Sequence, residues 1–193
     1  MRKPRHTPLN LPPEVVALHE AARQGDEMGV LHLLMEGVSP NAATPWGNTA
    51  LHAAAFANRP EAIRILIEAG ADPNARLEPE WPFPGYTPLH CTTEWDSIEA
   101  AHALIQCGAD VEARSTHGET PLRVAVETSG TYAVVSPGIA LLLIESGADV
   151  NAIDSRGESI LDEVSKAIHL SPHHAPSREI FNLLLERTAR RKA

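Results

Sequence analysis

Four stretches decide the reading of this chain: GNTALHAAA at 47–55, GYTPLHCTT at 85–93, GETPLRVAV at 118–126 and GESILDEVS at 157–165. The first three are each trailed by a second string: EAGADPNA at 68–75, QCGADVEA at 106–113 and ESGADVNA at 145–152. An earlier copy without the glycine start runs ALHEAARQGD from Ala17 and closes with MEGVSPNA at Ala42. Two strings that recur in phase are the signature of a repeat array, in which each unit buries its apolar face on the next. Each unit reads as two helices. Thr87-Pro88 and Thr120-Pro121 put a hydroxyl acceptor before a proline that has no N–H to satisfy, a start signal for a helix; Thr49 and Ser159 take the equivalent place. Gly37, Gly70, Gly108 and Gly147 follow apolar runs, where a helix ends in a left-handed residue.

The second helices are expected to stack in two apolar layers. One is Val30, Ile63, Ala101, Ala140 and Phe181; the other is Leu34, Ile67, Ile105, Ile144 and Leu185. Alanines 53, 54, 55 and 125 let the first helices approach closely. Polar Gln24, Asp26 and Glu27 in the first unit, and Glu158, Asp162, Glu163 and Lys166 in the last, suit the two water-facing ends of a stack. Insertions lengthen RLEPEWPFPG (76–85), the 129–137 loop and the 169–177 loop.

This pattern resembles the ankyrin repeat, G-x-T-P-L-H-x-A followed by a helix pair and G-A-D-x-N. The resemblance implies an all-α solenoid of five helix-hairpin units with projecting β-hairpin-like fingers. The expected units are 14–43, 44–76, 77–114, 115–153 and 154–189, between a basic tail at 1–13 and another at 190–193. It assigns His19, His52 and His90 to hydrogen bonds with backbone between units. It also implies a concave binding face of finger tips, residues after the motif glycine, and first-helix ends. Those positions hold Trp46, Asn48, Phe56, Trp81, Phe83, Tyr86, Glu94, Trp95, Asp96, His117, Glu119, Glu127 and Tyr132. All three Trp, both Tyr and Phe56 and Phe83 thus fall off the expected core. Large rings dominate interface hot spots, so Trp46, Phe56, Trp81, Phe83, Tyr86 and Trp95 are the expected anchors. The plainer alternative is that Trp81 and Phe83 fold the long finger onto the stack.

Charge bounds the partner. The chain carries 16 basic and 25 acidic residues, net −9, but 14–186 holds only nine of the basic ones and every acidic one, a net of −16. Such a body repels nucleic acid and favours a basic protein, with Glu94, Asp96, Glu119 and Glu127 supplying complementarity. The composition, 43% hydrophobic and 21% charged, is that of a folded domain. No apolar run reaches the roughly 20 residues that span a bilayer, and no secretory signal follows the basic start, so a cytoplasmic, monomeric protein is expected. Cys91 and Cys107 are expected to stay thiols, Cys91 within a first helix.

Chemistry is sparse. There is no P-loop, G-x-S-x-G, G-x-G-x-x-G or H-E-x-x-H. His169, His173 and His174 lack zinc-type spacing, so neither metal nor cofactor is expected. The reading is of a non-catalytic protein-binding module. Arginine outnumbers lysine 13 to 3 and alanine is abundant, a usage associated with GC-rich genomes, which points to a bacterial one. Free-standing bacterial members of the family include inhibitors that neutralise a toxin, which suggests an immunity-type role. The alternatives are an adaptor bridging two partners, or an enzyme with its site in the 129–137 and 169–177 loops.

Overall fold

The computed structural model describes residues 11–79, 82–126, 136–162, 164, 165, 182, 184 and 186, and the side chains of these except Glu94 and Trp95. The helices are α1 (Pro13–Gln24), α2 (Glu27–Met35), α3 (Ala50–Phe56), α4 (Pro60–Glu68), α5 (Pro88–Cys91), α6 (Ile98–Gln106), α7 (Pro121–Val126) and α8 (Pro137–Glu145). A 3-10 turn over Thr92–Trp95 extends α5. Helical residues continue at 160–162, 164 and 165 and at 182, 184 and 186.

Each pair packs within itself and on the next. First helices stack α1 on α3, α3 on α5 and α5 on α7, and second helices stack α2 on α4, α4 on α6 and α6 on α8. Among the described residues there is no strand; single antiparallel bridges, Ala43 with Thr49 and Ile153 with Ser159, close the bases of two loops. This is the all-α solenoid that the repeat implies.

Local chemistry sets each helix start. Thr49 accepts a bond from the His52 amide, while the His52 ring accepts from the Thr49 amide at 3.3 Å. Ser159 and Asp162 make the same reciprocal pair, the Ser159 amide donating to the carboxylate at 3.0 Å and the Asp162 amide to the hydroxyl at 3.2 Å. Two amides without intrahelical partners are satisfied at once. At the far end of α4, Gly70 has φ +93°, a conformation that is strained for any residue with a side chain.

The core is a column of aliphatics and alanines. Val30, Ile63, Ala101 and Ala140 are fully buried, as the first layer requires; Phe181 lies outside the described residues. The second layer is displaced by one residue from its expected register. Leu66, Leu104, Leu143 and Leu184 are fully buried, whereas Leu34, Ile67 and Ile105 are only half-buried against the column and Ile144 is buried; Leu185 is undescribed. Both registers lie on the same side of a helix, three and four residues from the first layer, so close packing selects the one nearer the neighbouring helices.

Loops are tied to each other as well as to helices. The Glu78 amide donates to the Trp46 carbonyl at 2.9 Å, Thr116 to Pro84 at 3.0 Å and Ser155 to His117 at 3.0 Å. The asparagines of the second string form a parallel line of links. Asn41 accepts from the Asp72 amide at 2.8 Å and Asn74 from the Asp110 amide at 2.8 Å. The third unit carries Glu112 in that place, and its carboxylate accepts from the Asp149 amide at 2.7 Å.

Candidate functional site

The face made by the first helices and the loops carries the candidate site. Between α1, α3 and α5 and the 77–85 loop lies a recess of about 240 Å³. Its floor is apolar: Ala53, Leu77, Phe83 and Cys91. Asn48, His52, Phe56 and Arg23 complete the wall. Three expected contact residues, Asn48, Phe56 and Phe83, therefore meet at one place. Phe56 ends α3 and stays 40% exposed. The Oδ1 of Asn48 is buried without a hydrogen-bond partner, an uncommon cost in a folded protein.

Other expected residues sit differently. Tyr86 is only 6% exposed and is not a surface anchor. Its ring stacks on His90 at 5.0 Å between centroids and meets Phe83 at 5.4 Å. It belongs to a small second core with Leu77, Cys91 and Val124, on which Phe83 rests half-buried. Phe83 thus folds the long loop onto the stack while one side of it lines the recess. The Leu77 amide donates to the Tyr86 carbonyl at 2.9 Å and the Gly85 amide to Leu77 at 3.0 Å, which closes the loop at its base. Glu119 is also buried rather than offered to a partner; the Ser115 hydroxyl donates to its carboxylate at 2.8 Å.

Trp46 is half-buried at the loop before α3, and Asp96 and His117 are exposed. Trp81, Glu127 and Tyr132, and the side chains of Glu94 and Trp95, lie outside the described residues, as do His169, His173 and His174. Among the described residues no group of His, Cys, Asp and Glu is placed to hold a metal ion. Cys91 and Cys107 are not joined in a disulfide, and Cys91 is buried.

Behind this face His52 and His90 make the bonds between units expected of them, whereas His19 bonds a carbonyl within its own unit, 14–43. The His19 ring bonds the Ala42 carbonyl at 3.0 Å, His52 the Tyr86 carbonyl at 3.4 Å and His90 the Glu119 carbonyl at 3.1 Å. Burial pushes His52 and His90 down to about 4, and His19 also below its usual value, despite these carbonyl bonds. The rings are therefore neutral at pH 7, with Nδ1 free to accept from the Thr49 and Thr87 amides.

In the fourth unit Arg123 stands where the motif has histidine, a substitution whose consequence the sequence did not disclose. Its side chain is 3% exposed and its Nη2 lies 3.2 Å from Asp154, itself 2% exposed. Nη1 donates to the Glu158 carbonyl at 3.0 Å. Burial alone would raise the Asp154 carboxyl. Bonds from the Glu158 and Arg156 amides and the Arg156 guanidinium, with the Arg123 charge, hold it down to about 2.

Known proteins carry the same repeat in their sequences. A family model described as ankyrin repeats (3 copies) matches residues 18–115 and 77–154. The chain is 36% identical to human Neurogenic locus notch homolog protein 2 over 138 residues, 68% of this chain and 5% of that protein. It is 40% identical to human Neurogenic locus notch homolog protein 1 over 120 residues, 60% of this chain and 4% of that protein. Against Glycerophosphocholine phosphodiesterase gde1 of Schizosaccharomyces pombe it is 35% identical over 144 residues, 74% of this chain and 9% of that protein. The chain thus spans less than a tenth of each of these relatives.

Proposed function

The chain belongs to the ankyrin-repeat family, and from that premise we propose that it is a non-catalytic module that binds a basic protein through its first-helix and loop face, in the manner of an inhibitor or immunity protein. The observation that carries this reading is the recess closed by Phe56, Phe83 and Asn48. It is apolar, it is large enough for one bulky side chain, and it lies where the loops hold their backbones fixed. Desolvating an apolar anchor there gives affinity. The surplus of acidic residues in 14–186 supports a basic partner by steering its approach. No helix among the described residues is long and apolar enough to cross a membrane.

The test starts from a basic protein that co-purifies with the full chain. Inhibition predicts that its activity stops at one equivalent. Phe56→Ala should weaken the complex by about 2 kcal/mol, roughly thirtyfold. Unchanged affinity would move the site off this face, and a partner that keeps full activity in the complex would replace inhibition by simple attachment.

A further inference from the structure

We propose that the outward side of α2 is a second docking surface, shaped for an amphipathic basic helix of another protein. The α2 sequence EMGVLHLLM places Met28, Leu31 and Met35 at i, i+3 and i+7, on one side of the helix. They are 74%, 41% and 86% exposed. The other second helices supply an internal control. Counted back from the glycine that ends each helix, the same three positions hold Glu61, Arg64 and Glu68 in α4 and Glu99, His102 and Gln106 in α6. In α8 they are Gly138, Leu141 and Glu145. Glu61, Glu68, Glu99 and Gln106 are exposed although α4 and α6 are flanked on both sides. Glu68 and Gln106 stay open within the stack, so the Met35 position points away from it. Glu99 accepts from Asn58 of the preceding unit at 2.7 Å and Gly138 abuts Ile98, so the Met28 position lies on the edge towards the unit before, which for α2 is open. Single exposed apolar residues are ordinary, and Leu141 is one in α8; three on one side of α2, where α4 and α6 carry only polar residues, mark a contact surface.

Charge selects the occupant. Glu27 and Glu36 bound the stripe at the two ends of α2, and Glu61 and Glu68 lie along the neighbouring α4, all exposed. An anionic lipid surface would meet these carboxylates as like charges. So would a second copy of the chain, because an isologous contact sets the acidic rim of one copy against the acidic rim of the other. A helix with apolar residues at i, i+3 and i+7 and Lys or Arg beside them meets both the stripe and its rim. Unbranched methionine side chains adapt to varied apolar partners. This surface is on a different helix from the recess and does not depend on it.

The test uses the full chain, labelled at its methionine methyls, and a synthetic 18-residue Leu/Lys amphipathic helix. A scrambled peptide of the same composition, with no apolar side, is the control. The Met28 and Met35 methyl signals should shift with the amphipathic peptide, and the scrambled one should bind at least tenfold more weakly. Met28→Glu with Met35→Glu should lower affinity at least tenfold although it adds negative charge, with the thermal midpoint retained. Unshifted methyls, or equal binding of the scrambled peptide, would overturn the proposal. Binding to phosphatidylserine vesicles, or a concentration-dependent dimer, lost in the double variant would give the surface to lipid or to a second copy.

Discussion

The junction between units two and three and the junction between units four and five perform one task with different chemistry. At the first, neutral His52 reaches the Tyr86 carbonyl of the next unit; at the second, charged Arg123 reaches the Glu158 carbonyl. A neutral ring can be buried with its two nitrogens satisfied by a Thr cap and a carbonyl. A guanidinium cannot, and the fourth unit surrounds it with Asp154 and Glu158 from the loop it holds. Burying a charge is tolerable only with such partners. The repeat therefore conserves a connection, while the means of connecting varies with its neighbours.

The largest expected effect separates the two means. Arg123→Ala leaves Asp154 buried beside Arg156 alone and should cost about 3–5 kcal/mol of stability. Urea unfolding measures it, and a loss under 1 kcal/mol would show that the charged junction carries no more than surface pairing. Next comes acid. His52 and His90 have folded values near 4 against about 6.5 when unfolded, so the unfolded chain takes up protons first as pH falls. Their contribution is complete above pH 6.5 and lost towards pH 4, roughly 3 kcal/mol per ring at that point. The Asp154 contribution has the opposite chemistry and a lower window, full above its ordinary value near 4 and lost towards 2. Denaturant midpoints should thus fall between pH 6.5 and 4 in the parent, and His52→Gln should flatten that slope. An unaltered slope would place the titration elsewhere.

A smaller effect tests coupling. Arg123→Met with Asp154→Leu removes both charges and should be less destabilising than Arg123→Ala, because no lone ion is left buried. A double variant worse than the single would mean that the network does more than neutralise itself. Smallest of all, Glu158→Gln should cost below about 1 kcal/mol, since its carboxylate is 33% exposed and 3.7 Å from Arg123. A cost of several kcal/mol there would make Glu158, not Asp154, the partner of Arg123.

Much of this was legible in the chain itself. Thr49, Thr87 and the glycines after each second helix announce their roles through capping and backbone conformation, which are local. The first layer of the core was legible because Val30, Ile63, Ala101 and Ala140 each stand seven residues before the glycine that ends the helix. The second was not, because Leu66-Ile67, Leu104-Ile105 and Leu143-Ile144 offer two aliphatics on one side of the helix, and only neighbours choose between them. Tyr86 was misplaced for a related reason: its position after the motif glycine points outward in the general pattern, but the lengthened loop folds Leu77 and Phe83 over it. The pairing of Arg123 was not legible, since its partners lie 31 and 35 residues downstream. The recess was legible only in part. Asn48, Phe56 and Phe83 were expected on the face, while Leu77, Ala53 and Cys91 became lining through packing.

The lateral bonds from Glu78 to Trp46, Thr116 to Pro84 and Ser155 to His117 use main-chain atoms alone. Exposed side chains along these loops, such as those of Thr116 and His117, can therefore be exchanged one by one without breaking these links. Descendants of this sequence could drift from one target to another by single substitutions, each tried on an unmoved platform.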